Sequence, residues 1–480
     1  MRRLVVGNAL TLTISEIISK VLEFASILII ARILDVEKFG IFAFAGAVGM
    51  FFSLIPHFGF DYLVTRDISR WPRKTGKYFL SISLAKIILV LVALLMLSGW
   101  LEFFSGFSRE KKTLVYLAST GVFFMTNVFF VTSFFRAHQK AKIEAGLRLF
   151  LAFLVSTVSI IVALLSRNLF FILTARLLVC ASVFILGIMF FRKKLKPAFK
   201  TGLTDVFYCI KRSYPFAVFI FLVTAYMSID TVMLNLIKGD IATGLYNVAA
   251  RITMVFLLIP TGVCNAVLPA LSSERNSNTQ EFHSILGLTF RFLSVIACII
   301  ILLSIIFGRK VVSFTFSNNY LVSGQIFSVL CWVILPAYIN HLLGTVLLAI
   351  DKEKLLVYFS LLAAVVNISL NAVLIPRYSY YGAALATIVT ELLVVIMQVF
   401  YLYRKVFNAS NLKKNLLPAL IGIGFIIITS ILPEGFSLLG GIFCGLFYIF
   451  LLYKLGSFSS ECSVLAALPV VKKLYAEKNS

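Results

Sequence analysis

Apolar runs about twenty residues long, parted by short polar breaks, fill this chain almost from end to end and leave it few folds to adopt. A helix crossing the hydrocarbon core needs roughly 20 mainly apolar residues. Such runs fall near 7–31, 41–62, 78–100, 114–134, 147–165, 169–191, 215–237, 244–270, 284–307, 323–349, 355–375, 383–403, 416–432 and 437–455. They are too long, and the breaks too short, for the alternating strands of a membrane β-barrel. A soluble chain of 480 residues would not be 60% hydrophobic and only 13% charged. The sequence therefore predicts an all-α polytopic membrane protein with about fourteen transmembrane helices, the last two being the shortest runs.

Within these runs a segment recurs. Phe39 to Pro56 reads FGIFAFAGAVGMFFSLIP and Thr243 to Pro260 reads TGLYNVAARITMVFLLIP. With no gap Gly40 falls on Gly244, Ala45 on Ala249, Met50 on Met254, Phe52 on Phe256 and Pro56 on Pro260, an offset of 204 residues (244 − 40). Glycine opening an apolar helix and proline closing it at one spacing point to a duplication. Duplicated helical halves are a common build of secondary transporters, with the substrate site lying between the halves. The organisation expected is a six-helix bundle over 1–191, a cytoplasmic linker over 192–214, a second six-helix bundle over 215–407, and two extra helices with a cytoplasmic tail over 408–480.

The net charge of +24 invites a nucleic-acid reading, but its placement argues for topology instead. Taking the breaks alternately, 29 Lys and Arg fall on one side and 10 on the other. The rich side holds Arg66 to Lys77, Arg136 to Arg148 and Arg192 to Arg212; the poor side holds Arg109, Lys111, Lys112 and Arg167. The positive-inside rule places the rich side, with both termini, in the cytoplasm. The excess also attracts anionic lipid headgroups. The opening MRR followed by an apolar run reads as an uncleaved first helix, because Glu16, Lys20 and Glu23 interrupt it and no small-x-small site precedes Ala31 and Arg32.

The loops on the poor side are short, the longest running from about Gly308 to Leu321, so no soluble catalytic domain is held there. The seven cysteines are scattered through apolar spans and suggest packing, with neither a disulfide framework nor a metal site. No P-loop, GxGxxG or zinc motif occurs, which argues against direct ATP hydrolysis and against any cofactor. In the linker, TDVFYCIKR (204–212) is expected as a short helix lying on the membrane surface.

The motifs resemble those of Wzx-type polysaccharide flippases of the multidrug/oligosaccharidyl-lipid/polysaccharide exporter superfamily. The matching pieces are Ala31 and Arg32, Gly40, Phe58 and Gly59, and Thr65 and Arg66. In the second half they are Asp230, Gly244 to Tyr246, Ala249 to Arg251, Leu268 to Ser272, and Tyr381 to Ala384. The likeness covers essentially the whole chain. The elbow before the second helix, often LG in that group, is here Leu34 and Asp35. The resemblance implies a V-shaped pair of six-helix bundles around a central cavity. It implies transfer of a polyprenyl-pyrophosphate-linked oligosaccharide repeat unit, such as that of an O-antigen or capsule, from the cytoplasmic to the outer leaflet by alternating access. It further implies a monomer in the bacterial cytoplasmic membrane, working beside a glycan polymerase. The alternative is a MATE-like cation-coupled multidrug exporter, whose cavity should be acidic. A membrane enzyme such as a polymerase or acyltransferase lacks the large outside loop it would need.

Flipping makes no covalent bond, so no nucleophile or acid–base pair is expected. The task is to carry a pyrophosphate and a polar glycan across hydrocarbon, and charges inside the spans are the candidates because each costs roughly 2.5–3.5 kcal/mol to insert at mid-helix. Glu16, Lys20 and Glu23 share one face of the first helix, either as a cavity-lining stripe or as a self-neutralised ladder. Arg176 and Lys86 have no opposite charge near them in sequence and suit phosphate, Arg176 through its planar fork. Asp230 and Arg251 lie at similar depth in neighbouring helices, as a gating pair or a static one. Glu391 is the most isolated acid and a candidate for ion coupling. The cationic substrate-site candidates are thus Arg176, Lys20, Lys86 and Arg251, and these sum with Glu16, Glu23, Asp230 and Glu391 to near neutrality. Arg291 is expected to snorkel, and His341 to pack or hydrogen-bond within its helix.

Overall fold

The computed structural model describes residues 2–103, 106–195, 202–273, 280–403 and 409–431, with 445, 447, 448 and 450. Among them there is no strand. The helices are α1 (Arg2–Ile33), α2 (Val36–His57), α3 (Phe60–Arg70), α4 (Thr75–Phe103), α5 (Arg109–Ala137), α6 (Ala141–Ser166) and α7 (Leu169–Leu195). They continue with α8 (Leu203–Phe256), α9 (Leu258–Ser273), α10 (Gln280–Thr315), α11 (Leu321–Leu330), α12 (Ile334–Ala349), α13 (Glu353–Tyr403) and α14 (Ala409–Ile431). Among the described residues, nine helical stretches are long and apolar enough to cross a membrane. The protein is an all-α, multi-pass membrane protein. The apolar run at 437–455 lies largely outside the described residues.

Helix is the economical answer for these runs, because hydrocarbon offers no partner to an unpaired N–H or C=O. α4 shows the solvent these helices were built for: Ile87, Ile88, Leu91 and Leu95 face outward, Leu95 at 73% exposure, while Ala85, Ala93, Leu97 and Leu101 are buried. Outward leucine and isoleucine in such a run mark a lipid-facing side.

Two helices hide a break. α8 turns at Gly239 (φ 83°) and α13 at Ser379 (φ 52°). Gly239 lies 204 residues after Asp35 (239 − 35), the elbow between α1 and α2. There Asp35 adopts extended backbone and its carboxylate accepts the Lys38 N–H at 2.7 Å, so a helix N-cap opens α2.

The duplication reaches further in structure than in sequence. Between α5 and α6 the chain closes a Schellman turn, with Gln139 left-handed (φ 57°) and Lys140 N–H donating to the Phe135 carbonyl at 2.8 Å. Between α12 and α13, Asp351 is left-handed (φ 57°) and Lys352 N–H donates to the Leu347 carbonyl at 2.8 Å. The offset here is 212 (351 − 139), and it also carries left-handed Arg167 onto Ser379. The same loops are built twice from different residues.

The described residues gather into two compact units. The first comprises Met1–Val248, Thr315–Asn319 and Asn371–Tyr380. Its core includes Phe60, Leu63, Val64, Ile68, Tyr78, Phe134, Phe135 and Phe191, with Phe79 stacked on Phe191 at 4.2 Å between centroids. Val206 and Cys209 belong to this core. The segment expected as a separate surface helix, 204–212, is instead the start of the 54-residue α8. Its i, i+3 pair Val206 and Cys209 gives it an apolar stripe that is more stable buried, and Lys77–Asp205 (2.7 Å) and Arg212–Asp67 (3.2 Å) pin its polar side.

The second unit comprises Ala249–Phe314, Tyr320–Leu370 and Tyr381–Ser480. Pro260 has no N–H for the carbonyl of Phe256, four residues earlier. That carbonyl is the acceptor for the buried Tyr338 hydroxyl at 2.7 Å. Proline thus breaks α8 from α9, and a tyrosine from α12 satisfies the group it frees. The five described cysteines, Cys180, Cys209, Cys264, Cys298 and Cys331, are free and buried.

Candidate functional site

A concentration of charge inside the first unit lies where α3, α4, α5 and α6 meet. Glu144 on α6 is fully buried and serves two guanidinium groups: Arg136 Nε reaches its Oε1 at 3.0 Å, and Arg148 Nη2 reaches the same oxygen at 2.9 Å. Arg148 also stands 5.0 Å over the Phe129 ring, and its buried Nε has no hydrogen-bond partner among the described residues. Lys86 on α4 is 4% exposed, with its ammonium 5.1 Å from the Phe130 ring centre and Asp61 as its neighbouring carboxylate. His57 Nε2 lies 3.4 Å from Asp61. Three cations, Lys86, Arg136 and Arg148, thus share the region with two carboxylates, Asp61 and Glu144. Guanidinium forks with spare donors are well suited to phosphate oxygens.

The α1 stripe is placed as the sequence spacing requires. Lys20 pairs with Glu23 at 3.5 Å, the two side chains about half exposed (54% and 45%), and Glu16 is exposed one turn earlier. Glu16 adds to the field at Arg148, which ties the stripe electrostatically to the α5–α6 cluster.

Arg176 on α7 is half-buried, 3.5 Å from Ser159 Oγ and 5.4 Å over the Phe42 ring. The duplication gives this corner a counterpart of opposite sign. Phe42 maps onto Tyr246 by the offset of 204 and Ser159 onto Asn371 by that of 212. Tyr246 and Asn371 both hydrogen-bond the buried carboxylate of Asp230, at 3.2 and 2.6 Å. One repeat presents a cation to a ring and a small polar side chain; the other presents an anion to their equivalents.

In the second unit, Glu391 accepts a hydrogen bond from Asn340 Nδ2 at 2.8 Å, and Asn340 Oδ1 accepts one from Gln398 at 2.8 Å. Arg251 is half-buried in that unit. Arg291 Nε donates to the Gly287 carbonyl of its own helix at 3.3 Å.

A further cluster was counted in the sequence only as loop charge. Lys111 Nζ lies 2.7 Å from Asp240 Oδ1 and 2.9 Å from Asn235 Oδ1, with the rings of Phe44 and Phe107 at 4.8 and 4.5 Å. Asn235 Nδ2 also donates to Asp240 at 2.8 Å. Beside this cluster Gly40 and Gly244 meet: a Cβ on Gly40 would sit 3.0 Å from Gly244 N, and one on Gly244 would sit 3.1 Å from Gly40 N. Those same atoms would collide with the carbonyls of Asp240 and Val36. The two glycines of the sequence repeat therefore form one contact, related by a local two-fold, and Lys111 fastens its edge. The repeat was the signal; Lys111 gave none, since its partners lie 124 and 129 residues away.

Among the described residues no group of three His, Cys, Asp or Glu side chains could hold a metal ion.

Comparison with known proteins agrees with this architecture. Residues 5–275 match the family model described as "Polysaccharide biosynthesis protein", and residues 215–373 match the MatE model. The chain is 23% identical over 385 residues to the protein named "Putative O-antigen transporter" from Shigella dysenteriae, covering 76% of this chain and 91% of that one. It is 25% identical over 181 residues to the capsular polysaccharide biosynthesis protein CapF of Staphylococcus aureus, covering 37% of this chain and 45% of that one. The lipid II flippase MurJ in an inward closed conformation shares the fold, with a TM-score of 0.72 at 18% identity over 92% of this chain and 98% of the other. A chain whose matched region spans more than half its length, with this duplicated helical fold, belongs to the polysaccharide biosynthesis protein family.

Proposed function

We propose that this protein flips polyprenyl-pyrophosphate-linked oligosaccharide repeat units from the cytoplasmic to the outer leaflet for surface polysaccharide synthesis, by alternating access. The observation that carries the reading is the Arg136–Glu144–Arg148 and Lys86–Asp61 cluster, in which Glu144 and Lys86 are buried and the guanidinium groups partly so. It sets cations, among them Arg148 with a buried Nε still without a partner, at the end of the bundle that the positive-inside pattern makes cytoplasmic, where a pyrophosphate would enter. The names of the related proteins, an O-antigen transporter and a capsule biosynthesis protein, support the same substrate class.

In this scheme the two bundles, 1–191 and 215–407, rock about the Gly40–Gly244 contact, with 192–214 joining them and 408–480 appended. Arg176, Lys20 and Arg251 join Lys86 in receiving the phosphates, and Glu16 and Glu23 keep the wet face of α1 near neutral. Asp230 and Glu391 carry gating or ion coupling. Lys111–Asp240 is a lock on the side poor in Lys and Arg, which the positive-inside pattern makes the outer side. The protein works as a monomer in the bacterial cytoplasmic membrane with both termini in the cytoplasm, and passes its product to a glycan polymerase.

The second reading, a cation-coupled multidrug exporter, draws on the MatE match and on the buried Asp230 carboxylate. It predicts that overexpression raises tolerance to cationic dyes. The flippase reading is tested by replacing Arg148 with Ala and measuring surface glycan at unchanged protein level: a severe loss is expected, and wild-type glycan would remove the cluster from the substrate path.

A further inference from the structure

The turn at Pro72–Lys74, the start of α4 and the start of α8 line a cleft of about 320 Å³, apart from the clusters described above. Lys74, Lys77, Ser81, Thr204 and Tyr208 supply its polar lining, and Asp205 closes one side. Lys77 is held at the rim by its 2.7 Å pair with Asp205. Lys74 has no carboxylate partner among the described residues; its ammonium stands 4.9 Å over the ring of Trp71. Tyr208 of the lining is 49% exposed, and Trp71 under the Lys74 ammonium and Phe207 next to Tyr208 in the chain are exposed by 41 and 71%.

Exposed aromatic rings interleaved with lysines are what a helical membrane protein presents at the headgroup level. A recess there with two ammonium groups and an exposed aliphatic hydroxyl matches a phosphodiester: charge from Lys74 and Lys77, a directional hydrogen bond from Thr204. Flat attraction of the basic surface to anionic lipid needs no recess; this one is shaped. Its walls come from segments more than a hundred residues apart in the chain, so it exists only while α8 is docked on α3 and α4.

We infer that this cleft binds the phosphate headgroup of an anionic phospholipid of the leaflet it faces. The bound headgroup bridges α4 to the first turns of α8 and strengthens the Lys77–Asp205 and Arg212–Asp67 docking. The assignment of that leaflet as the inner one rests on the topology proposed above, but the binding itself does not.

The test is native mass spectrometry of the full chain released from detergent after exchange with phosphatidylglycerol, phosphatidylcholine or inorganic phosphate. One retained phosphatidylglycerol is expected at concentrations where phosphatidylcholine is not held. Replacing both Lys74 and Lys77 by Ala should lower its occupancy about tenfold, each surface lysine contributing on the order of that attraction's usual share. Lys74→Ala alone, which breaks no ion pair, should lower it several-fold and guards against misfolding of the double variant. Lys193→Ala with Lys194→Ala, equally basic but outside the cleft, should leave it unchanged. Equal losses in both double variants, or none in either, would overturn the site in favour of diffuse attraction. Displacement of the lipid by low-millimolar inorganic phosphate would overturn the lipid as occupant. Neither failure would touch the flippase reading, which is measured on the glycan.

Discussion

Gly40 and Gly244, placed on one another by the sequence repeat, also touch: each lies where the other's Cβ would have to go, within 3.0–3.1 Å of the partner's backbone nitrogen. The carbonyls they crowd, Asp240 and Val36, are themselves repeat partners (240 − 36 gives the same 204). Such a contact lets two helices cross at backbone distance, and it holds its geometry only while both residues lack a side chain.

Gly40→Val or Gly244→Val should therefore separate the crossing. Overpacking of a close contact costs about 1–3 kcal/mol, and here the obstacle is rigid backbone. The expected result is a lower melting temperature in detergent and loss of surface glycan for either variant. Gly146→Val, whose Cβ meets nothing within 4 Å, is the control and should behave as wild type.

Lys111 and Asp240 form a mostly buried pair, 10% and 20% exposed at their side chains. Removing one member strands the other, at a cost of about 3–5 kcal/mol. Lys111→Ala should be destabilised on that scale, while Lys111→Met with Asp240→Asn, which leaves no bare charge, should recover much of it. Thermal unfolding of wild type, Lys111→Met, Asp240→Asn and the double variant gives the coupling; simple additivity of the two single changes would show that the pair is not a unit.

Among the described residues, Glu144 is the carboxylate that pairs with both Arg136 and Arg148. Glu144→Gln should leave two partly buried guanidinium groups uncompensated and cost about 3–5 kcal/mol. Glu144→Asp, which keeps the charge but shortens the reach, should cost less. Chemical unfolding of the purified protein distinguishes these; equal stabilities would remove Glu144 as the organiser of the cluster.

Lys77's hydrogen bond holds the Asp205 carboxyl below its ordinary value of 3.8. A depressed value means that the pair's contribution is present above pH 3.8 and is lost as pH falls through the lower, folded value. The stability gap between wild type and Asp205→Asn should be constant from about pH 5 to 8 and shrink below the ordinary carboxylate range. A gap that persists undiminished near pH 3 would show that Asp205 acts through something other than its charge.

Tyr338 donates to the Phe256 carbonyl that Pro260 leaves free. Tyr338→Phe should cost about 1–3 kcal/mol, the usual penalty of an unpaired buried acceptor. Combining it with Pro260→Ala, which returns an N–H to that carbonyl, should restore most of the loss; no recovery on thermal unfolding would break the link between tyrosine and proline.

Much of the fold was legible because its causes are local. Run length and composition dictate spanning helices, and the glycine and proline of the repeat mark where backbones cross or bend. The second offset of 212 was not legible, since the loops at Gln139 and Asp351 share backbone geometry but not residues. The site was only partly legible. Lys86, Arg176 and Asp230 stand out as charges inside apolar runs, yet Asn371, 141 residues from Asp230, is an ordinary amide until the chain folds. Arg136 and Arg148 lie at a break and count as topology, and only tertiary packing shows that Glu144 is buried between them. The first turns of α8 looked like a surface segment because their partners, Asp67 and Lys77, lie far back in the chain.

The central claim, flipping of a lipid-linked oligosaccharide, is met most directly by mass spectrometry of polyprenyl-linked glycans in a strain lacking the protein, with leaflet access read by an impermeant periodate probe. The account predicts that one complete repeat unit accumulates on its polyprenyl carrier, shielded from periodate on the cytoplasmic side, and that the wild-type gene clears it. Normal surface glycan with no trapped intermediate would contradict it.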